Sequence, residues 1–267
     1  MRLLPGLVSI SFRGRTPAEL IAACVRAGLQ GIEWGGDIHV PHGNLAMARE
    51  VAARTREAGL QVAAYGSYYR VGRDESRQAS FAQVLDTAIA LQAPLIRVWA
   101  GEQGSARTTP ATRERIIAES RRIGGMARAA GLCVAFEFHR DTLTDATESA
   151  LDLMQATADA GLCCHWQPSV GWTHAAQLDA LRRLRSSLAY LHVYQWESDG
   201  RREPLAAGTG VWSGFLAEAA AAPLPGDLPQ RWALLEFVKA DSLEQFRQDA
   251  ETLLQLLGHA PPSVRPS

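Results

Sequence analysis

A single parallel (β/α)8 barrel is the fold the sequence predicts, and three observations predict it. The chain has 267 residues, close to the roughly 250 that one such barrel needs. The tripeptide Ala-Gly-Leu recurs at 27–29, 58–60, 130–132 and 160–162, each time after a helix-like segment and before a short apolar run. Eight apolar runs alternate with helical patterns from one end of the chain to the other, which is the signature of parallel strands joined by helices. A doubly wound open sheet is the competing arrangement, but no GxGxxG phosphate loop follows the first strand.

The eight strand candidates are LVSIS (7–11), GIEW (31–34), VAAY (62–65), PLIRVW (94–99), CVAFEF (133–138), CCHWQ (163–167), LAYLHVY (188–194) and WALLEF (232–237). Between them lie helical stretches such as PAELIAACVRAG, FAQVLDTAIALQ, ATESALDLMQATADAG and SLEQFRQDAETLLQLLG. Thr16 before Pro17, and Asp241 before Ser242, are the residue types that cap helix N-termini. The glycine of each Ala-Gly-Leu suits the left-handed residue that ends a helix. AAPLPGDLP (221–229) reads as a surface loop. The barrel is expected over 1–258 and a frayed tail over 259–267.

Composition narrows the function classes. A formal net charge of -1 gives no basic field for a nucleic-acid backbone, so small substrates are expected as partners. Cys24, Cys133, Cys163 and Cys164 form no CxxC pair, as expected of reduced thiols. With no secretory pattern at MRLLPGLVSISF and no long apolar run, the expected location is the cytoplasm, without membrane contact.

In such a barrel, chemistry sits at the C-terminal strand ends. Four consecutive strands finish in polar residues: Glu137, Gln167, His192 and Glu236. Side-chain alternation puts Cys133, Ala135 and Glu137 on one face and Val134, Phe136 and Phe138 on the other, and likewise sets His165 and Gln167 against Trp166. The bulky apolar set faces the helices, which leaves the polar groups in the lumen. Carboxylates there must be paired, hydrogen-bonded or bound to metal. Two glutamates, a histidine and an amide have the composition of a Mn, Mg, Co or Zn site. The plainer reading pairs Arg97 with Glu137 and leaves His192 as a satisfied core histidine.

The chain also resembles the xylose isomerase-like barrels, from VSISFRGRTPAELIAACVRAGLQGIEW through VAFEFHRDTLTDATESALDLM and YLHVYQWESDGRREPLAAGTGVWSGFLAEA to LLEFVKADSLEQFRQDAETLLQ. The resemblance implies metal-binding residues at Glu137, His192 and Glu236, with Glu137 and Glu236 also moving protons. Gln167 stands where that family usually has an aspartate. An amide oxygen still ligates a hard cation, but one negative charge is missing. The expected cofactor is one divalent ion.

The expected activity is isomerisation or epimerisation of a small sugar or sugar derivative through an enediolate. Dehydration of a keto-polyol of the inosose type is the nearest alternative, and a metal-free sugar-binding barrel is the non-enzymatic one. Glu33, Tyr65, Arg97, Trp99, His139 and Arg202 are candidate substrate contacts, although aromatic residues at a barrel mouth are as often plain packing. His165 reads as a core or supporting histidine. Family members are often dimers or tetramers, but no interface is legible in the sequence.

Overall fold

The computed structural model describes residues 2–259. Eight parallel strands close into a barrel in the order β1-β10-β7-β6-β5-β4-β3-β2. They are β1 (Leu3–Val8), β2 (Gly31–Gly35), β3 (Gln61–Arg70), β4 (Leu95–Trp99), β5 (Cys133–Glu137), β6 (Cys163–Trp166), β7 (Leu188–Val193) and β10 (Arg231–Leu235). A two-stranded antiparallel ribbon, β8 (Gln195–Trp196) with β9 (Arg202–Glu203), lies in the loop after β7. Eight helices wrap the barrel: α1 (Pro17–Arg26), α2 (Leu45–Glu57), α3 (Phe81–Leu91), α4 (Pro110–Ala129), α5 (Thr147–Ala156), α6 (His174–Leu184), α7 (Thr209–Ala221) and α8 (Leu243–Leu256).

Local sequence accounts for these boundaries. Thr16 and Glu19 form a reciprocal capping box at the start of α1, which satisfies two donors that the helix leaves open. The glycines of all four Ala-Gly-Leu repeats have positive φ, from 70° to 79°, so each ends its helix in the left-handed turn that other residues resist. At α8 the cap is Ser242, which accepts from the Gln245 amide. Asp241, the cap expected from the sequence, instead holds Arg202.

The apolar residues divide into two layers. Ile32, Trp34, Ile96, Val98, Val134, Phe136, Trp166, Leu191, Val193 and Leu235 pack outward against the helices. Val8, Leu95, Ala135, Cys163, Tyr190, Trp232 and Leu234 fill the lumen. Leu228, within the expected surface loop 221–229, is buried in that inner cluster, with Leu224 packed beside it.

Two strands depart from the sequence reading. The first runs over Leu3–Val8 rather than 7–11, and Ser9–Phe12 turn into a 3-10 coil. The Pro-Gly pair that looks like a break lies inside the strand. A Cβ at Gly6 would stand 2.5 Å from the Leu234 side chain and 2.6 Å from the Gly31 carbonyl oxygen, so only glycine lets β1 lie this close to its neighbours. The third strand continues to Arg70, with irregular pairing against both β2 and β4. At the chain's end, His259 is buried and bonds to Arg2, Gln30 and the Leu3 carbonyl. The remainder of the expected tail, 260–267, lies outside the described residues.

Candidate functional site

The C-terminal halves of the strands bring Glu33 (β2), Arg97 (β4), Glu137 (β5), His165 (β6) and His192 (β7) together with Glu236, which directly follows β10, in one buried cluster. Arg97 is its hub. Its Nε donates to Glu33 Oε1 at 2.8 Å and its Nη1 to Glu137 Oε2. His192 sits between two carboxylates, with Nε2 3.0 Å from Glu33 Oε2 and Nδ1 3.0 Å from Glu236 Oε2.

Gly66 of β3 makes room for the Arg97–Glu33 pair. A Cβ there would lie 2.6 Å from Glu33 Oε1 and 2.7 Å from Arg97 Nη2.

The two glutamates at the strand ends are held differently. Glu137 is held through both oxygens: Oε2 accepts from Arg97 and from the Trp99 indole N–H, and Oε1 accepts from Gln167 Nε2 at 3.1 Å. Glu236 uses only Oε2, toward His192. Its other oxygen has no hydrogen bond from the described residues. Gln167 Nε2 also donates to the Phe138 carbonyl at 3.2 Å. Two acceptors on one side fix the amide orientation, and Gln167 Oε1 is left buried without a partner.

Electrostatics sharpen the division of roles. Burial alone would raise the Glu33 carboxyl, but Arg97 and then His192 outweigh it and hold the pKa at about 2. Glu137 shows the same contest: burial opposes ionisation and Arg97 lowers the pKa below its ordinary value. For His192, burial favours the neutral ring, yet Glu236 and Glu33 raise the pKa to about 9. Both ring nitrogens face carboxylate oxygens, an arrangement that favours the protonated ring. His165, 3.9 Å from the His192 ring centroid to centroid, is pushed well below the usual value, first by burial and then by the His192 charge. It is a neutral, fully buried ring, and neither of its nitrogens has a partner.

These orphans test the site against a cation. Donor atoms of Glu137, His165 and His192 lie within 4.8 Å of one another. Neither ring nitrogen of His165 has a partner among the described residues, so one nitrogen lone pair is open, and so is the Gln167 amide oxygen. Buried polar atoms without partners are costly, and a divalent ion held here would give these two acceptors a partner. A His192 that ligated such an ion would do so as the neutral ring.

The other expected contacts divide into two groups. Trp99 stacks on His139 with centroids 4.9 Å apart, and Tyr68 meets the Trp99 edge. Tyr68 also lies 4.8 Å from the Arg97 guanidinium. Trp99 and His139 therefore reach the mouth. Glu33 is fully buried beneath it, as a support for Arg97 and His192. Arg202 stands at the rim, 2.6 Å from Asp241.

Tyr65 is not brought to the site. It packs in the outer layer, and its hydroxyl donates to the Val40 carbonyl at 2.8 Å. The reason is a register shift between Ile32 and Glu33, where Ile32 pairs with Val62 but Glu33 pairs with Ala64. Ala63 is the extra residue, and one extra residue exchanges the two faces of a strand. Strict alternation would have turned Tyr65 inward.

Sequence reasoning missed Tyr68 and Gly66, which lie beyond the expected end of the third strand. His165, read from the sequence as a core or supporting histidine, is fully buried beside His192.

The comparisons with known proteins agree with this architecture. Among solved structures, the probable 3-DHS dehydratase AsbF of Bacillus anthracis, involved in petrobactin synthesis, superposes with a TM-score of 0.74 at 19% identity, over 96% of this chain and 98% of that one. A xylose isomerase-like protein from Mycobacterium smegmatis in complex with magnesium gives a TM-score of 0.66 at 16% identity, covering 96% of each chain. D-psicose 3-epimerase, solved in the presence of D-fructose, gives 0.67 at 12%, over 96% and 100%. No curated protein matches the sequence significantly. The family model for the xylose isomerase-like TIM barrel matches residues 21–262. With nearly the whole chain matched and eight strands closed into a barrel, the protein belongs to the xylose isomerase-like TIM barrel family.

Proposed function

We propose that this chain is an isomerase or epimerase of a small sugar or sugar derivative, working with one divalent ion (Mn, Mg, Co or Zn) by removing a proton beside a carbonyl. The observation that carries the reading is the unequal treatment of two lumen glutamates. Glu137 is hydrogen-bonded through both carboxylate oxygens and Glu236 through one, which leaves its other oxygen free among the described residues.

Glu137, Gln167, His192 and Glu236 would hold the ion, with His165 in reach as a further donor. When bound, a divalent ion supplies Lewis-acid stabilisation of negative charge on substrate oxygens. The rest falls to the chain itself. Glu236 takes the proton from the carbon beside the carbonyl through its free oxygen. His192, hydrogen-bonded to the other oxygen, fixes the carboxylate's orientation. Glu236 then returns the proton to the neighbouring carbon, which completes an isomerisation, while an epimerisation is completed by a proton that reaches the opposite face of the first carbon from solvent. Glu137 is kept ionised by Arg97, which suits holding a cation better than donating a proton. The Trp99–His139 stack and Tyr68 wall one side of the mouth and restrict water there.

Dehydration is the second reading, because it begins with the same proton removal and one structural neighbour is a probable dehydratase. A panel of ketoses, inososes and sugar phosphates in D2O with Mn2+, followed by NMR, separates the outcomes. Deuterium entering a substrate carbon without loss of water is the expected result. An unsaturated product assigns dehydration instead. A bound but unlabelled sugar contradicts both and leaves a sugar-binding barrel.

A further inference from the structure

Beside the lumen cluster, the loop after β1, the β9 ribbon and the loop after β10 border a cavity of about 510 Å³, whose lining includes Ser11, Arg13, Arg15, Arg202, Phe237 and Asp241. Three arginines face it against one carboxylate. Each guanidinium is anchored through a single terminal nitrogen: Nη2 of Arg13 to Asp37, Nη1 of Arg15 to Glu19 and Nη1 of Arg202 to Asp241.

That pattern leaves donors on all three forks while fixing where they stand. Arg202 is held further by the Phe237 ring, 5.3 Å from its guanidinium carbon. Ser11 also lines the cavity, only 6% exposed, and its hydroxyl has no partner. A planar fork with unused N–H groups matches a carboxylate or a phosphate, which accepts two parallel hydrogen bonds.

The cavity also connects to the chemistry. Phe237, which lines it, directly follows Glu236 in the chain. We infer that Ser11, Arg13, Arg15 and Arg202 bind an anionic group, a carboxylate or a phosphate, at one end of the substrate whose reacting carbons lie over Glu236. The inference rests on the proposed function, and it makes the substrate an acid or a phosphate ester rather than a neutral sugar.

Calorimetry on chelator-treated protein at fixed ionic strength tests it, with inorganic phosphate and acetate as probes and glycerol as the neutral control. At least one anion should bind the unaltered protein, and the Arg13→Gln/Arg202→Gln pair should weaken it about tenfold or more, the scale for losing charge-assisted hydrogen bonds. Arg202→Lys, which keeps the charge and loses the fork, should fall between, and it also serves if the double variant does not fold. Tighter phosphate marks a phosphate subsite; acetate equal or tighter marks a carboxylate subsite. No anion binding, or binding untouched in both variants, overturns the inference. Glu236→Gln separates it from the reading it rests on. Anion binding that survives with no deuterium exchange in unaltered protein removes the proposed function alone, while exchange without anion binding removes this inference alone.

Discussion

Glu236→Gln should lower solvent-deuterium incorporation by about a thousandfold, within the range that general acid–base groups contribute, and leave the barrel folded. The amide keeps an oxygen for His192 Nδ1, which now reaches Glu236 Oε2 at 3.0 Å, so the support is preserved and the basic oxygen is lost. The measurement is NMR wash-in on whichever panel substrate the unaltered enzyme labels, beside a urea midpoint for each protein. A variant that keeps more than a tenth of the rate with an unchanged midpoint removes Glu236 as the proton carrier. Glu137→Gln is expected to fail for a different reason, weaker cation binding, so excess Mn2+ should partly restore it and not Glu236→Gln.

Arg97→Met should be the most destabilising single change in the lumen. Arg97 is 1% exposed and is the shared cation of Glu33 and Glu137. Removing one partner of a buried ion pair costs roughly 3–5 kcal/mol, because the remaining charges are stranded. For a domain of this size that is a fall in Tm on the order of 10 °C. Arg97→Lys should recover little of it, since Nε and Nη1 serve different carboxylates and one ammonium does not reproduce that fork. A Tm within 2 °C of the unaltered protein for Arg97→Met would show that Glu33 and Glu137 do not depend on this cation.

Much of this arrangement is legible in the chain. The four Ala-Gly-Leu stops locate helix ends because a left-handed turn is a local requirement, and local requirements leave local signals. Glu137, Gln167, His192 and Glu236 can be read as neighbours because β5, β6 and β10 keep their alternation up to the polar residue, and the irregularity of β7 at Ala189 lies before the Tyr190–His192 alternation that turns His192 inward. Tyr65 cannot, because the bulge at Ala63 is set by pairing with β2 and leaves no mark in VAAY. The first strand is displaced for a similar reason. Pro5 and Gly6 signal a break locally, and only the closeness of Gly31 and Leu234 makes glycine a strand residue there. The openness of His165, the gap above Gly66 and the arginine-lined cavity are properties of the closed barrel. No stretch of sequence carries them.

The central claim is that the lumen cluster exchanges the His192 proton for a divalent ion, and the direct measurement is Mn2+ titration of chelator-treated protein by calorimetry at pH 7.5 in buffers of different ionisation enthalpy. Glu236 and Glu33 hold the His192 pKa at about 9, so at this pH the ring is protonated and must release its proton to ligate. The predicted result is one Mn2+ per chain with release of about one proton, and binding that strengthens as pH rises toward 9 and weakens markedly in Glu137→Gln. The account is contradicted by no Mn2+ binding, or by binding that releases no proton and is indifferent to Glu137.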